Sequence, residues 1–149
     1  MSLIFIFLLL QHLSVSVVSS PWFTPDFAVL GLVLALRRSP EHWILYAMIV
    51  SVALLLPASR FFFLLASSTL LLGGLIAWVS ARWDLTNRRV LLAVAGFAVL
   101  AMNGMLIWAE DLWSWTVFLY LVCRTGLSLL CCYCLFPFLR RPTVSSLHV

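Results

Sequence analysis

Lysine is missing from this chain, and carboxylates are nearly so. All nine basic side chains are arginine, and only Asp26, Asp84, Asp111, Glu41 and Glu110 are acidic among 149 residues. With 9% of residues charged against 64% hydrophobic, the chain has too little polar surface to keep a globular domain in solution. Patterns that carry catalysis are missing as well. His12, His42 and His148 are far apart, no His-Glu-x-x-His or Gly-x-Ser-x-Gly occurs, and no glycine-rich loop precedes a lysine. An enzyme is not expected, nor is a cofactor or metal. Cysteine is confined to one stretch as Cys123, Cys131, Cys132 and Cys134, without a second cluster to complete a zinc or disulfide framework. Reduced, buried thiols follow, with palmitoylation of the last three beside a basic flank as the competing reading. The net charge of +4 does not imply nucleic acid, because the arginines fall at helix ends, where they set topology and meet anionic headgroups.

What is present is a series of long apolar runs. A hydrocarbon core of about 30 Å takes about 20 helical residues per crossing, so a chain of this length has room for five or six spans and no separate soluble domain. The first run, Ser2 to Val18, is interrupted by Gln11 and His12. It lacks the basic start of a secretory signal and reads as a retained helix. Thr24, Pro25 and Asp26 open a second helix as cap, first-turn proline and dipole-favoured acid, and it runs to Arg37 and Arg38. Ser39, Pro40 and Glu41 repeat that grammar for a third helix ending before Pro57. Residues 25–38 and 40–56 are short for spans, so they need local thinning, snorkelling arginines or an inward tuck against longer helices. Phe61 to Val79 is a fourth span whose small and polar section, Ser67, Ser68, Thr69, Gly73 and Gly74, suggests central packing. After a polar loop from Ser80 to Arg89 come Val90 to Trp108 and Trp113 to Phe138, closed by Arg140 and Arg141.

The arginines orient this series. With six spans and both termini cytoplasmic, the inner segments hold Arg37, Arg38, Arg82, Arg88, Arg89, Arg140 and Arg141, and the outer loops only Arg60. Trp22, Trp108, Trp113 and Trp115 then fall at the outer interface, and Trp43 and Trp83 at the inner one. The expected fold is all-α: a polytopic integral membrane protein with a six-helix transmembrane bundle over residues 1–141, two short central helices, and a cytoplasmic tail over 142–149.

Arg124 is the exception to the helix-end rule. It lies near the middle of the last apolar run, where a guanidinium costs about 2.5 to 3.5 kcal/mol even on lenient insertion scales, so it must face protein, water or a partner. Gly96, Asn103 and Glu110 recur at intervals of seven and share one stripe of the fifth helix. Arg124 is about 14 Å below Trp115 and Asn103 about 10 Å below Ala109, close in depth on antiparallel neighbours. That stripe is expected to face the sixth helix, with the Asn103 amide oxygen accepting a hydrogen bond from Arg124. Either Arg124 is satisfied within the fold, or it binds a partner helix or lines a polar cavity. Asp26 reads first as a helix starter and second as a functional acid. Glu110 and Asp111 point about 100° apart on a helix and cannot act as a carboxylate pair. A transport pocket would have to come from Asn103, Arg124 and the Ser67, Ser68 and Thr69 cluster.

The order of features resembles the rod shape-determining protein MreD family of bacterial inner-membrane proteins. The resemblance rests on an early helix, the Pro25-Asp26-Phe27-Ala28-Val29-Leu30 start of the second, two short central helices, and a last helix ending Phe136-Pro137-Phe138-Leu139-Arg140-Arg141. It departs in the third helix, where glycine and an acid are usual and Val50 to Leu56 has only Ser51 as a polar residue, and at Arg124, where a smaller polar residue is common. The resemblance implies a non-catalytic membrane scaffold for cell shape that associates with an MreC-like partner and helps organise the peptidoglycan elongation machinery around MreB filaments. That family's fold is also similar to the substrate-binding membrane subunits of energy-coupling vitamin transporters, which gives the alternative of a small-molecule transport subunit.

Overall fold

The computed structural model of the chain describes residues 2–18, 24–55, 62–109 and 111–139. Among these the architecture is all-helical: α1 (Ser2–Val17), α2 (Phe27–Arg38), α3 (Trp43–Leu55), α4 (Phe62–Arg82), α5 (Arg88–Ala109) and α6 (Trp115–Leu135). Short 3-10 turns at Pro40–His42 and Phe136–Leu139 precede α3 and follow α6. Three of these helices, at Phe63–Arg82, Arg88–Ala109 and Trp115–Leu135, are long and apolar enough to cross a membrane, which makes the chain a membrane protein. The expected positions of Trp22, Pro57, Arg60, Glu110, Arg140 and Arg141, and the tail over 142–149, lie outside the described residues.

The helices pair as three antiparallel hairpins, each fixed by close approach. In the first, a Cβ added to Gly31 of α2 would sit 2.7 Å from the Cβ of Phe7 in α1, so only glycine permits this spacing. In the second, Gly73 faces Ala47 and Gly74 faces the Trp43 ring, which brings α4 against α3 in opposite directions. In the third, Gly96 of α5 meets the Leu129 side chain of α6, while Arg88 at the start of α5 reaches Tyr133 near the end of α6.

The second helix, not the fourth, is at the centre. Every residue from Ala28 to Leu36 is buried, and α2 contacts α1, α3, α4, α5 and α6. A helix apolar on all sides belongs in an interior, and enclosure by protein relieves α2 of having to match the membrane thickness. At twelve residues it rises only about 18 Å. Its amino end therefore starts inside the bundle. The small residues of α4 serve its own hairpin with α3, which explains why their pattern suggested a central position.

Local signals set the helix ends, with one shift. Asp26, rather than Thr24, is the N-cap of α2, its carboxylate accepting from Val29 N–H, and Phe27 takes the first helical position. Ser114 caps α6 through Val117 N–H, and Asn87 Oδ1 accepts from Arg89 N–H at the start of α5. The polar loop shrinks to residues 83–87, since α4 continues to Arg82 and α5 begins at Arg88. Within it Asp84 accepts from both the N–H and the hydroxyl of Thr86, at 2.8 and 2.6 Å. These bonds, the hydroxyl first, hold the Asp84 carboxyl below the usual carboxylate range, with a smaller contribution from the Arg37 charge.

The two ends differ in chemistry. Arg37 and Arg88 both stack on Phe136, bringing the end of α2, the start of α5 and the end of α6 together. Trp108, Trp113 and Trp115 are exposed at the opposite turn, where Asp111 adopts a φ of 51°. The cysteines are free, and only Cys132 is fully buried; Cys123 and Cys134 are exposed on the outer face of α6, contrary to the expectation of uniformly buried thiols. The sixth helix packs mainly on α5, so most of its circumference faces outward.

Candidate functional site

A helix that starts inside a bundle exposes its first N–H groups where no water can satisfy them. In α2 the solution is assembled from two other helices and its own cap residue. Asp26 N–H donates to Ser128 Oγ of α6 at 2.9 Å, and Phe27 N–H donates to Gln11 Oε1 of α1 at 2.8 Å. Val29 N–H donates to Asp26 Oδ1 at 3.2 Å. Ser128 in turn donates to the Arg124 carbonyl one turn earlier, at 2.8 Å. The positive end of the α2 dipole also favours an anion at Asp26.

The other carboxylate oxygen gathers the two side chains singled out from the sequence. Asn103 Nδ2 donates to Asp26 Oδ2 at 2.9 Å and to the Val99 carbonyl of its own helix at 2.8 Å. Arg124 Nη2 forms an ion pair with the same Oδ2 at 3.4 Å. Both charged side chains are enclosed, at 13% relative exposure for Arg124 and 6% for Asp26. Asn103 and Arg124 thus meet, but not as expected. The Asn103 amide is a donor here rather than an acceptor, and Asp26 joins the two. A carboxylate is the better acceptor because it neutralises the cation as well as accepting hydrogen bonds.

Gly96 turns toward Leu129 of α6 as the stripe reading expects, Asn103 turns instead to Asp26 ahead of α2, and Glu110 lies outside the described residues. The fourth-helix cluster is not part of this node. Ser67 is exposed and donates to the Leu64 carbonyl, as does the buried Ser68, at 3.0 and 2.6 Å. Thr69 is buried against α3, where it hydrogen-bonds Ser51; each of those hydroxyls also has a carbonyl of its own helix within hydrogen-bond distance, and two protons are shared among the three contacts. Ser68 does line an open groove of about 140 Å³ between α4 and α5, but its neighbours there are Leu71, Leu72, Phe97, Met102 and Met105. The groove is apolar, and neither Asn103 nor Arg124 lines it.

Gln11 and Ser128 belong to the node and were not singled out from the sequence. Signals for both exist. Gln11 is the only glutamine in the chain and breaks an apolar helix, and Ser128 follows Arg124 by four residues on the same helix face. Chemically the node pairs one cation with one anion, whose oxygens also accept from Asn103 and Val29. One donor is left over, since Arg124 Nε is buried without a hydrogen-bond partner. His12 and His42 are exposed away from the node, with His42 beside Glu41 at 3.9 Å. No group of three His, Cys, Asp or Glu side chains suited to a metal ion occurs among the described residues. Compared with family models, curated proteins and solved structures, the chain finds no match.

Proposed function

We propose that the chain is a non-catalytic membrane scaffold of the kind its resemblance to the MreD family implies, acting in cell-shape maintenance through helix contacts with other integral membrane proteins. One observation carries this reading: the intramembrane cation Arg124 is neutralised inside the bundle by Asp26. A transport site presents polar groups to a cavity, ready for substrate. In this chain those groups are engaged with one another, and what faces outward is apolar side chain: Phe118, Leu119, Val122 and Leu130 on α6, and Phe63, Leu71 and Trp78 on α4. Such faces suit lipid and partner helices, where association depends on packing.

In this reading the protein resides in a bacterial inner membrane and crosses it six times, with both termini cytoplasmic. The shorter α1, α3 and enclosed α2 complete the three hairpins, and the arginine-rich end faces the cytoplasm. Its partners are an MreC-like protein and the peptidoglycan elongation machinery. Affinity isolation of the full chain from gently solubilised bacterial membranes tests the function. Recovery of wall-synthesis membrane proteins is the expected result; recovery of a cytoplasmic ATPase pair instead would overturn it in favour of a vitamin-type transport subunit. Accessibility labelling at residues 85 and 145 tests the topology, and labelling from opposite sides of the membrane would refute it.

A further inference from the structure

Two cations of the arginine-rich end, Arg37 and Arg88, are gathered on aromatic rings with no carboxylate at ion-pair distance among the described residues. Arg37, in the last turn of α2, has its guanidinium carbon 5.1 Å from the centre of the Phe136 ring. Arg88, the first residue of α5, lies 5.6 Å from the same ring and 3.2 Å from the centre of Tyr133. Both guanidiniums therefore lie against one aromatic side chain. Stacking engages the face of a guanidinium and leaves its N–H edge free, because all five donors lie in the plane. Each edge is incompletely used. Arg37 Nη1 and Arg88 Nε are buried with no hydrogen-bond partner, and the one bond Arg88 makes is a long one, 3.4 Å from Nη2 to the Tyr133 carbonyl.

No acid resolves this. The nearby Asp84 directs both carboxylate oxygens to Thr86, and among the described residues no carboxylate lies within ion-pair distance of Arg37 or Arg88. Arg124 at mid-depth has Asp26 in ion-pair distance, whereas Arg37 and Arg88 rest on aromatic rings, with the Asp84 charge reaching Arg37 only from farther away. Two guanidiniums on one ring, each with planar donors left unpaired, are complementary to a tetrahedral oxyanion, and arginine edges match phosphate geometry. Basic pockets between helices at the cytoplasmic side of a bundle are suited to phospholipid headgroups.

We propose that Arg37 and Arg88, organised by Phe136, form a binding site for the phosphate of an anionic phospholipid. The site fixes the depth of the α2, α5 and α6 ends against the headgroup layer. It depends on membrane insertion but not on the scaffold function, so the two stand or fall separately.

The test is lipid retention on the full-length protein in mild detergent, read by native mass spectrometry after adding phosphatidylglycerol or phosphatidylcholine of the same chains. Wild type is expected to retain phosphatidylglycerol roughly tenfold better. The R37Q/R88Q double variant is expected to lose that preference, and R38Q/R89Q, which removes the same charge from two exposed neighbours, to keep it. Equal retention of the two lipids by wild type, or equal loss in both double variants, overturns the proposal. Inorganic phosphate at matched ionic strength separates the sources: displacement of the lipid at comparable concentration would point to a free phosphate site and overturn the lipid assignment. Should R37Q/R88Q fail to fold, R37K/R88K keeps both charges without the planar edges and is expected to retain several-fold less phosphatidylglycerol; unchanged retention there also counts against the site.

Discussion

The hydroxyl contact between α3 and α4 and the charged node at the start of α2 both cross between helices in the interior, and they are built on opposite principles. The Ser51 and Thr69 hydroxyls of α3 and α4 bond each other, and each also has a carbonyl four residues back in its own helix as an alternative acceptor for its single proton. Either could lose its partner and remain satisfied. Asp26 and Arg124 have no such reserve, since a carboxylate and a guanidinium in a low-dielectric interior depend on each other for charge neutrality. Asp26 also sits at the start of α2, where the Gln11 amide and the Ser128 hydroxyl of neighbouring helices serve backbone donors. The hydroxyl pair fastens one hairpin, whereas the charged node joins α1, α2, α5 and α6. Cooperative dependence, not the number of hydrogen bonds, separates the two.

Substitutions can break that contrast in a definite order. The largest effect is expected for Arg124→Leu, which strands the Asp26 carboxylate at a cost of about 3 to 5 kcal/mol. Adding Asp26→Asn should recover part of the loss, because the amide can still cap α2 and no charge is left behind. Unfolding equilibria of the two single variants and the double variant in detergent micelles measure the coupling; simple additivity would show that the ion pair contributes nothing specific.

A smaller effect is expected for Gln11→Leu, about 1 kcal/mol, measured in the same way. The moderate size follows from the geometry: Phe27 N–H also has the Pro25 carbonyl at 3.0 Å as a poorer acceptor. Smaller still should be Ser51→Ala, at about 0.6 kcal/mol, near the average for interhelical hydrogen bonds in membrane bundles. If Ser51→Ala matched Arg124→Leu in cost, the proposed difference between the two contacts would be wrong.

The loop carboxylate Asp84 gives the mildest test. Its folded-state pKa is depressed, chiefly by Thr86, so its contribution is complete above its unfolded value and lost as the pH falls through the folded one. Stability from this group is therefore expected to be constant through neutral pH and to decline only in strong acid. Thr86→Val should move the carboxyl titration, followed by NMR of the labelled side chain, back toward the ordinary range. Full solvent exposure keeps its effect on stability slight.

Composition, helix punctuation and arginine placement are properties of neighbouring residues, so the sequence by itself determined an all-helical membrane chain with α-helices at roughly the right places. Arg124 was legible as a residue in need of a partner because the cost of a charge in hydrocarbon does not depend on the fold. Asp26 as a helix starter was legible from Pro25 and the apolar run beyond it, whereas its pairing with Arg124 was not. Only the tertiary structure decided which carboxylate met which cation, since Asp26 is 77 residues from Asn103 and 102 from Ser128. The central position of α2 was decided there too. An apolar helix has no hydrophobic reason to prefer protein over lipid, so burial among helices is chosen by close packing at residues such as Gly31 and Phe7 and by the polar groups that must find one another.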